Sequence, residues 1–219
     1  MKPAARHGIR LPNIAKALPP AELTALEDDA TYAHQLFEGL DFSAAEHHGL
    51  AFDQVVFQRV KFPQTHIRNL RISDCRLERC DCSVADWMNA RLRRVELSGC
   101  RMLGTVLAEG VLEDVYFQNC LMERANFSWV TFKNARFEKC DLREAAFLGA
   151  NLKGVVFRNC DLSGADLRDA QMAGADLRGA TLDGLKVGAK DLQGAILTAM
   201  QALQVVGLLG ITIQELDEE

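Results

Sequence analysis

The residues best suited to chemistry in this sequence are seven cysteines, and five of them, Cys80, Cys100, Cys120, Cys140 and Cys160, stand twenty residues apart. Evenly spaced thiols raise two possibilities, metal ligation and redox exchange. Neither fits well, because no Cys-x-x-Cys has a matching partner and thiols aligned in one column cannot surround an ion tetrahedrally. Free cysteine also packs as a small buried hydrophobe, and at equivalent positions the chain uses Ala and Val, as at Ala125, Val130, Ala145 and Val155. We read all seven, Cys75 and Cys82 included, as packing residues. His47-His48 is the one adjacent histidine pair. No Ser or Cys nucleophile is matched to a base, and no glycine loop could cradle phosphate. The expectation is a non-enzyme that carries no metal and no cofactor.

What positions these residues is a period of five. Positions 92, 97, 102, 107, 112, 117, 122, 127, 132 and 137 read Leu, Leu, Met, Leu, Leu, Phe, Met, Phe, Phe, Phe. From Phe37 to Leu197 the register holds, and only His47, Cys82 and Trp87 depart from the aliphatic or Phe pattern. A helix repeats at about 3.6 residues and a strand at about 2, so neither keeps a five-residue repeat on one face. The chain must turn a corner every five residues.

Two residues before each large centre sits a small residue, Ala, Cys or Val in most units. If each unit is one side of a square coil, both point inward, and large must alternate with small in so narrow a shaft. Gly and Asn, frequent at the end of each unit, suit the corners. Four sides make one turn, so residue i lies above i+20. The expected fold is all-β, a quadrilateral parallel β-helix of about eight coils spanning 37–197, roughly 40 Å long at the usual strand spacing. Trp87 is large for a regular shaft, so a bulge or widened coil is expected there.

The lag of twenty predicts charge ladders: Glu123 with Arg143, Arg124 with Glu144, Glu113 with Lys133, Glu138 with Arg158 and Asp81 with Arg101. Two groups of outward residues stand out as candidate partner-binding sites. Arg91, Arg93 and Arg94, with Arg71 one coil earlier, form the densest basic group, although Glu113 and Asp114 lie next to them on the ladder. Asp141 and Asp161 share a wall with Asp81, interrupted by Lys61 and Arg101. Trp129 and Tyr116 are candidate exposed aromatic contacts.

The two ends break the repeat. In residues 1–36, Pro20 followed by Ala-Glu-Leu-Thr-Ala-Leu-Glu predicts a short helix. We expect it to cap the open end of the stack, with an unattached tail up to Leu18 as the alternative. In residues 198–219, Thr198 can cap a helix that Gly207 would end. The apolar residues Met200, Leu203, Val206, Leu208, Leu209 and Ile211 then need a cover. A second copy of the chain is the preferred cover, giving a homodimer; the last coil is the alternative.

With 219 residues and 48% hydrophobic content the chain can bury one substantial core. The first nineteen residues have no apolar run of signal-peptide length, and no stretch approaches eighteen consecutive apolar residues. We therefore expect a cytoplasmic protein with no membrane partner. The net charge of −5 lies mostly in the tail: residues 37–197 hold 22 acidic and 21 basic side chains, while 198–219 hold Glu215, Asp217, Glu218 and Glu219 with no base. A near-neutral body gives no bulk electrostatic case for binding nucleic acid, and only a weak one for mimicking it.

The units Ala165-Asp166-Leu167-Arg168-Asp169, Ala175-Asp176-Leu177-Arg178-Gly179 and Ala150-Asn151-Leu152-Lys153-Gly154 resemble the repeat of the pentapeptide repeat proteins. That resemblance implies a right-handed quadrilateral β-helix, commonly dimeric through its last residues. It also implies a function: one branch of the family binds DNA gyrase and topoisomerase IV and protects them from quinolones or peptide toxins, apparently by mimicking B-form DNA. The sequence departs from that branch in two respects, having no loop inserted in the register and no evident acidic excess along the rod. The functional expectation is thus a rigid binding module, with a type II topoisomerase as the named partner. A scaffolding rod with no topoisomerase role is the alternative.

Overall fold

The computed structural model describes residues 5–6, 8–23, 25–208, 210–212 and 214. Leu209 and the acidic residues Glu215, Asp217, Glu218 and Glu219 lie outside them. Four parallel ladders run the length of the molecule. Asp41, Lys61, Asp81, Arg101, Leu121, Asp141, Asp161 and Thr181 pair in one unbroken series, each twenty residues from the next. Corresponding series start at Thr31, Leu36 and Glu46. We number the walls one to four after Thr31, Leu36, Asp41 and Glu46. The chain visits them in that order, so walls one and three face opposite ways. The ladder begins at Thr31, before the expected Phe37.

The shaft is filled as the large-small alternation requires. Phe117, Phe137 and Phe157 stack on one wall at centroid distances of 4.6 and 5.0 Å, and Phe127 lies 5.1 Å from Phe147 on another. Val155, Ala145, Cys120 and Val130 are all buried between them. On walls three and four the corners are turns: the N–H of Ala85 donates to the Cys82 carbonyl at 3.1 Å, with Val84 between them at φ 57°. The third residue of such a turn needs positive φ. Glycine meets that demand freely at Gly149, yet Val84, Arg124, Trp129 and Glu144 adopt it too. Between walls one and two the corner is straighter, and Arg71–Glu78, Arg91–Ser98, Val111–Gln118 and Thr131–Glu138 each run as one eight-residue strand across it.

Trp87 does not interrupt the coil. Its N–H donates to the Val106 carbonyl at 2.9 Å, in register, and its indole Nε1 donates to Thr65 Oγ1 at 3.1 Å. The expected bulge is absent because the neighbouring centre is the small Cys82, which leaves the volume that the indole takes. A void of about 10 Å³ lies among Phe57, Phe62, Leu77 and Trp87.

The N-terminal end differs from expectation, and the C-terminal end only in where its helix stops. The described residues of 20–27 contain no helix. They form an irregular first coil, hydrogen-bonded through Ala21 N–H to the Leu36 carbonyl (2.7 Å), with Leu26 buried over the shaft. Proline and successive backbone pairing with Leu36 outweigh the local helical pattern. Before this coil, residues 8–20 form an arm fixed along the side of the rod, not the unattached tail of the alternative. At the other end a helix does form, Ala199–Leu208. Thr198 Oγ1 accepts the Gln201 N–H at 3.2 Å, and Gln201 Oε1 reaches back to the Thr198 N–H at 3.0 Å, a reciprocal cap. The helix runs through Gly207, and Gly210, at φ 76°, follows its end. No described helix is long and apolar enough to cross a membrane.

Candidate interaction surfaces

The cysteine column is interior. All seven thiols are buried and unpaired, and Cys100, Cys120 and Cys140 donate to the Leu77, Leu97 and Phe117 carbonyls at 3.4 to 3.6 Å. Burial pushes the Cys75 thiol up to about 12 and raises Cys82 as well. Hydrogen bonds from adjoining thiols, then burial, raise Cys80, Cys120 and Cys160. Those five thiols, held protonated, are poor nucleophiles and poor ligands; at Cys100 and Cys140 hydrogen bonds from the adjoining thiols outweigh burial and act in the lowering direction, but both side chains are enclosed in the shaft. Among the described residues no three His, Cys, Asp or Glu side chains converge on a metal position. His47, at a central position of the second coil on wall four, is part-buried with Nδ1 3.0 Å from Asp28 Oδ1, and His48 meets Asp28 and Asp29. These contacts tie the irregular first coil to the second.

The outer faces carry paired charge. Arg143 reaches Glu123 at 3.1 Å and Arg124 reaches Glu144 at 2.9 Å, as the lag of twenty predicts. Arg76 with Glu96 and Lys61 with Asp41 follow the same rule. Other expected rungs are taken by competitors. Glu113 pairs with Arg10, Asp81 accepts from Ser83 N–H and Oγ, and Glu138 meets Arg136 and the Tyr116 hydroxyl. A second geometry is absent from the expectation altogether: Arg143, Arg168 and Arg178 each fork onto the Asp two residues earlier, with Nε–Oδ1 distances of 2.8 to 2.9 Å. The signal in the sequence is Asp-Leu-Arg, whose first and third residues both point outward.

These forks set an acid response. Hydrogen bonds from the arginines hold Asp141, Asp166 and Asp176 below the ordinary 3.8, against the opposing effect of burial. A carboxylate whose folded value is depressed stabilises the fold above its unfolded value and loses that contribution as pH falls through the folded one. Solvent screens these part-exposed pairs, so each contribution is small. The thermal midpoint should therefore fall as pH drops from about 5 to below 3, and the triple change Arg143→Gln, Arg168→Gln, Arg178→Gln should flatten that slope. An identical slope in the variant would show that the forks contribute nothing.

The structure separates the two groups of partner-binding candidates. Arg91 and Arg93 are exposed on wall one, whereas Arg94 is drawn to the corner by Asp74, with Nε–Oδ1 at 2.6 Å. Asp141 and Asp161 are on wall three, the opposite side, and are engaged by Arg143 and Ser163. No flat partner meets both. Wall three carries Asp41, Asp81, Glu123, Asp141, Glu144, Asp161 and Asp183 against Lys61, Arg101, Arg124 and Arg143, a net −3 over the whole rod. Tyr116 is buried, not exposed, and its hydroxyl donates to Glu138 at 2.9 Å. Trp129 is 57% exposed. Its indole lies against Gly149, where a Cβ would come within 2.3 Å of the ring.

Sequence reasoning missed the arm. Residues Ile9–Arg10 pair antiparallel with Ala5–Arg6 and pack against the strands Val111–Gln118 and Thr131–Glu138. Arg10 Nε donates to Asp114 Oδ2 at 2.6 Å, and the Asn13 N–H donates to Asp74 Oδ1 at 3.0 Å. Burial would raise Asp74, but hydrogen bonds from Arg94 and Asn13 outweigh it and hold the carboxyl below its ordinary value. The one hint in the sequence is the corner column Asp74, Arg94, Asp114, Asn134, which holds charge where other corners often hold glycine.

At the C-terminal end the helix turns Gln201 and Val205 onto the last coil. Gln201 Nε2 donates to the Leu177 and Ala180 carbonyls at 2.7 and 2.8 Å, satisfying acceptors that a further coil would otherwise take. Its other side is open: Met200 is 76% exposed, Leu203 51%, Leu208 39% and Ile211 56%, while Val206 is half-buried.

A sequence profile described as "Pentapeptide repeat region" matches residues 70–147 and 110–187. The uncharacterized protein YisX of Bacillus subtilis (strain 168) is 27% identical over 126 residues, which cover 57% of this chain and 59% of YisX. Among solved structures, a trypsin-treated form of QnrB1, a plasmid-mediated fluoroquinolone resistance protein, is 23% identical with a TM-score of 0.46, covering 87% of this chain and 95% of its own. HetL, a pentapeptide repeat protein involved in heterocyst differentiation regulation from the cyanobacterium Nostoc sp., is 21% identical with a TM-score of 0.32, covering 78% and 90%. With overlapping profile matches across more than half of its length and an unbroken five-residue register, the chain belongs to the pentapeptide repeat family.

Proposed function

We propose that the chain is a non-enzymatic, rigid module that binds a macromolecular partner on its outside. The observation that carries this reading is the filled shaft: all seven thiols are buried as packing, and the interior void beside Trp87 measures only about 10 Å³. Everything available to another molecule is on the walls and ends. The backbone ladder holds those outward side chains at fixed spacing, which lowers the ordering cost of docking. The open C-terminal helix face supports a homodimer, doubling the length of rod presented.

A type II topoisomerase is the partner that the family resemblance brings forward. Uniform DNA mimicry is not what would hold it. B-form DNA carries about one charge per 1.7 Å, roughly twenty over a rod of this length, against a net −3 on wall three. Recognition of a topoisomerase would rest on the rod's shape and on groups such as Trp129, Arg91 and Arg93. A supercoiling assay with purified gyrase tests this: at micromolar concentration the rod should inhibit supercoiling or protect it from ciprofloxacin. If neither occurs, the topoisomerase reading falls and the scaffolding reading, with another protein on the same walls, stands in its place.

A further inference from the structure

The arm along the corner of walls one and two is held in an unusual way. Its path is lengthwise, crossing successive coils from Asn134 down to Leu36. Gly8 carbonyl accepts from Asn134 Nδ2 at 2.9 Å, the Arg10 N–H donates to Asp114 Oδ1 at 3.3 Å, and the Pro19 carbonyl accepts from Leu36 N–H at 2.8 Å. Three of the anchors are backbone groups of the arm, which any extended peptide can supply. Two side chains add selectivity: Ile9, only 2% exposed, and Arg10, which binds Asp114 Oδ2 at 2.6 Å and Glu113 Oε1 at 3.0 Å. Asn13, Ala15, Lys16 and Ala17 remain exposed.

The corner has the features of a receptor site. Asp114 is 1% exposed beneath the arm, and Asn134 Nδ2 orients its Oδ1 at 2.5 Å. Arg94, the cation on the next coil, is already committed to Asp74. The corner thus keeps one carboxylate facing out and in want of a guanidinium, with Glu113 beside it to make the fork complete. Arginine's fixed planar donors suit such a pair better than lysine's ammonium. Within residues 8–13 only Ile9 is fully buried, so the grip rests largely on polar contacts, which suits exchange.

We propose that this corner is a recognition groove for an extended peptide bearing an apolar residue followed by arginine, and that residues 8–13 are its resident, displaceable occupant. A partner segment of the same chemistry enters by replacing the arm. The arm then acts as a competitor that sets the threshold for partner binding, because apparent affinity falls by the fraction of time the groove is free.

The test uses the full chain and a fluorescent peptide copying residues 5–16. Arg10→Glu in the chain should free the arm, seen as faster tryptic cleavage at Lys16. The freed chain should bind the peptide by anisotropy at least tenfold more tightly than the unaltered chain does. A peptide carrying the same Arg10→Glu change should not bind, nor should the normal peptide bind a chain carrying both Arg10→Glu and Asp114→Asn. Unchanged tryptic cleavage in the Arg10→Glu chain would overturn the role of that contact. Cleavage without peptide binding would show a coat with no receptor groove, and equal binding to both chains would place the peptide elsewhere.

Discussion

Replacing Phe137 with alanine should destabilise the chain by about 3–5 kcal/mol, the usual cost of deleting a buried ring. Phe137 is fully buried, and its ring lies parallel to Phe117 at 4.6 Å (3° between planes) and to Phe157 at 5.0 Å (5°). Deleting it removes both stacking contacts at once. The coils above and below are held apart by their own backbone ladder, so the cavity cannot collapse. Contacts in a solenoid reach only neighbouring coils, and Phe137 sits in its middle. The loss should therefore broaden the urea transition, followed by far-UV circular dichroism, as well as lower its midpoint. A loss below about 1 kcal/mol would mean that the shaft can relax and is not the rigid element described above. Cys120→Ala is the natural contrast. It swaps one small inward residue for another type the repeat uses, and should cost about 1 kcal/mol or less with no change in the zinc or iron content of the purified protein.

The second large effect concerns assembly. Changing both Met200 and Leu203 to Asp should abolish the proposed homodimer and leave monomers in sedimentation equilibrium. Both side chains are more than half exposed in the single chain, with Leu208 and Ile211 close along the sequence, and a patch of that kind calls for a cover. Two carboxylates in such an interface would be desolvated without partners, which strongly disfavours association. The fold itself should be spared, since Gln201 and Val205, which seal the last coil, are untouched. An unchanged mass would refute the dimer and leave the helix as an intrachain cap only.

The interior of this protein was legible because its cause is local and repeated. A large residue every fifth position, with a small one two places before it, admits one backbone path, and that path puts residue i over i+20 along the whole rod. The same rule placed the cysteines in the shaft, and it located Glu123 against Arg143 and Arg124 against Glu144. Where it misled, an outward side chain had several partners within reach. Arg143 touches Asp141 two residues away as readily as Glu123 twenty away, and Glu113 turned to Arg10 in place of Lys133.

What the sequence by itself determined, then, is the shaft, the ladders and the identity of the outward residues, because each follows from spacing along the chain. Only the tertiary structure decided how the exterior is used. It set Arg91 and Asp141 on opposite walls, a consequence of where each falls among four sides. It buried Tyr116, and it let Trp87 fit by borrowing volume from Cys82. It also laid the N-terminal arm on Asp114, a contact spanning 104 residues. No periodic pattern encodes that contact, for it depends on the shape of a corner that exists only once the coils have stacked.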